Sequence, residues 1–221
     1  NLDINILLFN NRIYGLTKGQ YSPTSPMGKV TKSSPYGVVD HPFDASSLAL
    51  GSDATFVART VDVEQKHLQE MLHRAAAHRG TSFIEILQNC PIFNDGTYSD
   101  ITEGEGRREN QLVLEDRKPL IFGSKRRHGI RLTKEMAPEV VSLDEVAESE
   151  LLVHDESNEA LGYFLARLAR PDFPVPLGVL RRLERPSYDH LVHAQAARAV
   201  AEGGEGDFDK LFASGDTWVV K

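Results

Sequence analysis

Three observations predict an α/β fold built on a mostly parallel sheet. The chain begins with a short, nearly continuous apolar run, Ile4-Asn5-Ile6-Leu7-Leu8-Phe9, the pattern of a parallel strand rather than of a strand alternating between core and water. A strand, helix, strand order follows over residues 54–87, which is a βαβ unit and favours parallel pairing. The third is composition: 221 residues, 40% hydrophobic and 26% charged, suffice for one substantial core.

The first strand runs into Asn10 to Gln20, NNRIYGLTKGQ, and in open α/β sheets the loop leaving a strand's carboxyl end is where ligands bind. Amide oxygens such as those of Asn10 and Asn11 are hard donors suited to magnesium, and Gly15, Thr17, Lys18 and Gly19 suit phosphates. As a turn alone, the two amides would also be ordinary. Residues 19–37 are rich in Ser, Thr, Pro and Gly; Pro23, Pro26 and Pro35 exclude helix there. A short helix is expected at 46–49 and a strand at 54–59. Asp62 then offers a cap, with Gln65 three residues on, for a helix whose apolar face is Leu68, Met71, Leu72, Ala75 and Ala76 and which Gly80 closes. Its His67, His73 and His78 lack the i, i+4 spacing of paired ligands and read as solvated surface. The next strand is 83–87.

Residues 94–111 read as an irregular connection. Short strands are expected at 119–122 and 129–132 around a basic turn, Lys125 to His128, and another at 150–153 before a polar strand end, His154-Asp155-Glu156. The basic turn is either a solvated turn or a docking point for an acidic partner or a phosphate. Residues 158–170 suggest a helix closed by Pro171. The proline-rich run 171–186 suggests an extended segment along a neighbour, 190–201 a helix, and 204–221, with Trp218, a subunit contact. Two parts are therefore expected: 1–170 as the main domain and 171–221 as an extended segment packing on a partner.

The net charge of −7 and pI of about 5.6 argue against a general nucleic-acid binder. No apolar stretch approaches the roughly 20 residues that span a bilayer, so no membrane partner and a cytoplasmic location are expected. Because the chain enters a strand within four residues, it reads as the carboxyl-terminal part of a longer subunit. Cys90 is the single cysteine; on its own it would be a small buried thiol.

The stretch Asn10 to Gln20 resembles the thiamine-diphosphate loop in the β subunits of 2-oxoacid:ferredoxin oxidoreductases, most closely the 2-oxoglutarate type. The resemblance continues through Thr31-Lys32-Ser33-Ser34-Pro35-Tyr36-Gly37, FIEILQNCP (83–91), LLVHDE (151–156), FPVPL (173–177) and Glu184-Arg185-Pro186. It implies a thiamine-diphosphate-binding fold whose amino-terminal part, with an acidic magnesium ligand in a Gly-Asp-Gly motif, lies outside these residues. It also implies that Asn11 through its side chain and Ile13 through its carbonyl ligate Mg2+, and that Gly15, Leu16 and Thr17 hold the cofactor. Cys90 would be one of four thiolates on a four-iron four-sulfur cluster. Leu16 and Lys18 are the candidates for substrate contact, with Lys18, Lys29 or Lys32 available to a distal carboxylate.

The activity implied is oxidative decarboxylation of a 2-oxoacid to an acyl-CoA and carbon dioxide, and its reverse, with electrons passing to ferredoxin and coenzyme A as cosubstrate. The partner implied is the α subunit, in αβ pairs. Pyruvate or a branched 2-oxoacid is the alternative within the class; a decarboxylase without electron transfer and an inert assembly module lie outside it.

Overall fold

The computed structural model describes residues 1–216 and 218–220. In chain order its elements are β1 (Ile4–Asn10), α1 (Ala45–Gly51), β2 (Phe56–Val61), α2 (Gln65–Ala77), β3 (Thr81–Leu87), α3 (Ser99–Thr102), α4 (Gly106–Asn110) and β4 (Gln111–Val113). There follow β5 (Ile121–Phe122), β6 (His128–Leu132), β7 (Pro138–Ser142), a 3₁₀ turn (Glu148–Glu150), α5 (Glu159–Ala166), β8 (Val175–Arg182), α6 (Tyr188–Gly203) and α7 (Phe208–Phe212).

A five-stranded sheet has the order β1-β3-β2-β8-β4. β1 and β2 both run parallel to β3 and β4 runs parallel to β8, while the β2–β8 pairing is antiparallel, so the sheet is mostly parallel as the sequence predicts. Adjacent residues of a strand serve opposite faces. Phe56, Ala58, Ile84 and Ile86 pack under Met71 and Ala75 of α2. Val57 and Phe83 instead join Leu50, Leu165 and Leu180 in a core shared with α1, α5 and the flanking β5-β6-β7 sheet, which contributes Ile130. With cover on both faces, every residue of β2 is buried.

Several expectations change. Asp62 does not cap α2: Glu64 holds that position without a side-chain bond, and an Asp62 carboxylate oxygen accepts from the Asn89 amide instead. α2 ends at Ala77, with His78 as its C-cap, short of Gly80. His67 and His78 are half-buried and bonded to Thr60 and Thr55 hydroxyls at 2.8 Å, and His73 alone among the three is exposed. Residues 94–111 contain α3 and α4. The run 150–153 is not a strand; only an isolated bridge joins Val153 to Pro119. β7 had no sequence signal.

The largest correction concerns 171–186. This run supplies β8, lodged between β2 and β4, so the main sheet does not stop at residue 170. Pro176 lacks an N–H, but it lies where β8 pairs only with β4, and pairing with β2 begins at Gly178. Gly178 has φ +130° at that changeover, and a Cβ there would meet the Leu114 Cβ at 2.9 Å, so glycine is required. Beyond β8, α6 and α7 bury no side chain.

Candidate active-site loop

Parallel pairing sets Asn10 beside Leu87, so the loops leaving β1 and β3 emerge side by side. Asn94 ties them together: its amide nitrogen donates to the Asn11 carbonyl at 2.9 Å, and its oxygen accepts from Lys29. Cys90, half-buried and free, faces Asn94 across an isolated bridge. The geometry therefore brings Asn11, Ile13 and Cys90, distant in sequence, into one corner of the sheet's carboxyl edge.

Within the first loop, Asn11 is half-buried and its side-chain oxygen accepts from the Ile13 amide at 3.2 Å, an Asx turn. Arg12, between them, takes the left-handed conformation (φ 55°), rare for a residue with a Cβ. Ile13 is buried. From Tyr14 to Gln20 the backbone closes on itself: Tyr14 donates to Gln20, Lys18 to Gly15 and Gly19 to Tyr14 at 2.8–3.0 Å. The amides of Gly15, Leu16 and Thr17 donate to nothing within the chain among the described residues. Leu16 is 98% exposed, and Thr17 and Lys18 are also exposed. Lys29 is committed to Asn94, which leaves Lys18 and Lys32, both exposed, as the lysines of this region available to a carboxylate.

Beneath the loop lies a buried polar network that sequence reasoning missed. The Asn10 amide nitrogen donates to Glu85 at 2.8 Å, and its oxygen accepts from the Thr24 hydroxyl at 2.7 Å and the Arg12 amide at 3.3 Å. Glu85 also accepts from Arg59 and from Ser46, each at 2.8 Å. Burial alone would push the Glu85 carboxyl up; the Arg59 guanidinium and the bonds from Asn10, Ser46 and Arg59 outweigh it and hold the pKa below the usual carboxylate value. Glu85 is therefore ionised at neutral pH. Tyr98, with a pKa raised chiefly by burial, donates its hydroxyl to the Asn10 carbonyl at 2.9 Å, and the Arg12 guanidinium lies 4.5 Å from its ring centroid. The available signal was a carboxylate inside the apolar run of β3 and a guanidinium inside that of β2, since charges buried in strands are normally paired.

A cavity of about 370 Å3 opens beside this network, lined among others by Arg12, Arg59, Glu85, Tyr98 and Arg170. A larger one, about 640 Å3, lies by the amino ends of β2 and β3 among Arg74, Arg182 and Arg185. The guanidinium groups there are paired with Glu156, Glu159 and Asp53, so the larger space offers less free charge than its size suggests.

The donor set constrains what the corner can bind. A side-chain amide oxygen and a backbone carbonyl are hard, neutral ligands that fit part of a magnesium octahedron. Three open amides suit phosphate oxygens. No group of three or more His, Cys, Asp or Glu poised for a metal exists among the described residues, so a magnesium ion held here would take its other ligands from phosphate, water or another donor. A four-iron four-sulfur cluster needs four thiolates, and the chain supplies one, Cys90. By itself it does not fit that group.

Residues 1–86 match the family described as thiamine pyrophosphate enzyme, C-terminal TPP binding domain. The chain is 44% identical over its whole length to the 2-oxoglutarate oxidoreductase subunit KorB of Mycobacterium tuberculosis and spans 60% of that protein, its carboxyl-terminal part. It is 43% identical to the 2-oxoacid:ferredoxin oxidoreductase subunit beta of Saccharolobus solfataricus over 43% of its length and 31% of that protein. Among solved structures, the 2-oxoglutarate:ferredoxin oxidoreductase from Magnetococcus marinus, with 2-oxoglutarate, coenzyme A and succinyl-CoA bound, superposes with a TM-score of 0.69 at 26% identity, covering 98% of this chain and 60% of that one. The sequence-based family and fold expectations stand.

Proposed function

We propose that the chain is the carboxyl-terminal part of the β subunit of a 2-oxoglutarate:ferredoxin oxidoreductase. One observation carries the reading: the Asn11–Ile13 turn stands at the carboxyl end of β1 and is tied through Asn94 to the loop holding Cys90, in a chain similar throughout to a 2-oxoglutarate oxidoreductase subunit. Thiamine diphosphate, when bound, supplies the electron sink needed to cleave the bond between carboxylate and oxo carbon. The chain's own residues have narrower tasks. Asn11 and Ile13 furnish two oxygens of a magnesium site shared with residues beyond this chain. The open amides of Gly15, Leu16 and Thr17 would hold the phosphates, and the exposed Leu16 side chain would offer an apolar contact to the substrate. Lys18 or Lys32 receives the distal carboxylate that distinguishes 2-oxoglutarate from pyruvate, and Cys90 furnishes one thiolate to a cluster completed elsewhere. The α subunit, ferredoxin and coenzyme A belong to the same proposal, as does the reverse, carbon-fixing direction.

The test is reduction of ferredoxin or a viologen dye by the intact complex, given coenzyme A and either 2-oxoglutarate or pyruvate. Activity with 2-oxoglutarate, lowered at least about tenfold by Asn11→Ala through loss of a metal ligand, is expected. Activity with pyruvate alone would keep the class and discard the substrate. Unchanged activity in Asn11→Ala would favour an inert assembly module.

A further inference from the structure

We propose that Glu85 and Arg59, together with Thr24, are positioning residues for the magnesium and diphosphate loop, acting through the orientation of the Asn10 side-chain amide. The inference rests on the reading above.

An asparagine amide has two faces of opposite polarity, and nothing in its shape decides which way it points. At Asn10 the surroundings decide. An ionised carboxylate accepts and cannot donate, so Glu85 obliges the Asn10 nitrogen to face β3. The oxygen must then face the loop, where it accepts from Thr24 and from the Arg12 amide. Arg12 is the left-handed residue between Asn11 and Ile13, the two oxygen donors of the turn. A bond to its amide helps hold a conformation that a residue with a Cβ otherwise disfavours. The chain of contacts is short and continuous: Arg59, Glu85, Asn10, Arg12, then the ligating turn.

Arg59 keeps Glu85 in the required state. It is 7% exposed and Glu85 is 5% exposed, so an unpaired carboxyl at that depth would take up a proton. As a neutral acid, Glu85 could donate as well as accept and would no longer dictate the Asn10 orientation. Ser46, from the first turn of α1, fills a further acceptor position on the same carboxylate. A pair serving stability alone would have no need of Asn10. Buried ion pairs are often replaceable by apolar residues without loss of stability, so a function at the loop accounts for this one better than stability does.

The experiment uses the whole oxidoreductase with both subunits. Retention of labelled thiamine diphosphate is measured by equilibrium dialysis across a magnesium titration, alongside kcat and KM. Glu85→Gln is expected to raise the magnesium concentration for half-maximal cofactor retention by about tenfold or more, as loss of an outer-shell partner typically does, with kcat recovering at saturating magnesium. Thr24→Val, which removes the hydroxyl donor with little change of shape, should raise it by about threefold, the effect of one neutral hydrogen bond, and Thr24→Ser should restore the wild-type value. Should Glu85→Gln fail to assemble, the Thr24 pair decides the matter. Assembled Glu85→Gln and Thr24→Val complexes that retain the cofactor at wild-type magnesium would overturn the positioning role while leaving the function intact. A wild-type complex that retains no thiamine diphosphate at any magnesium concentration would overturn both.

Discussion

β1 and β2 have nearly the same sequence character and the same partner, yet opposite surroundings. Both are short apolar runs and both lie parallel to β3, Ile6 beside Phe83 on one side and Val57 beside Phe83 on the other. β2 is buried at every position, whereas Ile4, Ile6 and Leu7 of β1 are each 43% exposed and Phe9 54%. Apolar sequence fixes where a strand forms; the cover it receives depends on what lies beyond its neighbours. β2 has β8 on its far side and helices on both faces, and β1 is an edge with its far side open in this chain. Flat apolar edges are normally blunted or covered.

The contrast can be tested by substitution. Phe56→Ala in β2, at a site with no exposure, should cost about 3–5 kcal/mol through lost burial and a residual cavity, read from denaturant unfolding. An equal cost at Phe9→Ala in the isolated chain would erase the distinction.

A second test belongs to the interior. His154 is wholly buried, donates from Nε2 to the Val179 carbonyl of β8 (2.9 Å), and its Nδ1 has no partner among the described residues. Burial is the largest influence on it and lowers its pKa; the Val179 carbonyl and the carboxylates of Glu156, Asp116 and Asp155 oppose that without reversing it. The unfolded chain therefore binds this proton first, and stability falls as pH drops below the ordinary histidine value of about 6.5 toward the lower folded value. The thermal midpoint should decline from pH 7 to pH 5, and less so in His154→Gln, which cannot titrate. An identical decline in both would assign the effect to the other lowered histidines, His67 and His78.

The smallest effect is expected at the edge itself. Phe9→Ala should cost under about 1 kcal/mol in the isolated chain, because half of the ring is already in water and little transfer energy is lost. In the complex proposed above the same substitution should cost more if the edge is covered there. Equal losses in the two states would show that β1 stays an open edge.

Much of the fold was legible. β1 and the βαβ unit stand where periodicity places them, although Asp62 does not cap α2; α5 starts where expected, with Asn158 accepting from the Leu161 amide, but ends at Ala166, short of Arg170 and Pro171. The turns of the candidate loop were legible too: its amides and glycines are contiguous, and local sequence is enough to set a turn. Its support was not. Asn10, Thr24, Arg59, Glu85 and Tyr98 come from five separate stretches, and only the β1-β3-β2 order brings them together.

What the sequence determined by itself is therefore local: which runs are strands or helices, and which loop offers amides, glycines and open backbone groups at a strand's carboxyl end. Tertiary structure decided what those elements meet. It placed a proline-rich run as an interior strand, because Pro176 falls where one neighbour is missing, and it buried His154 behind β8 rather than leaving it at a polar strand end. The reason is physical. Backbone preference and apolar periodicity act over a few residues, but burial and ion pairing depend on contacts such as Asn10 with Glu85, which lie 75 residues apart and exist only once the sheet has formed.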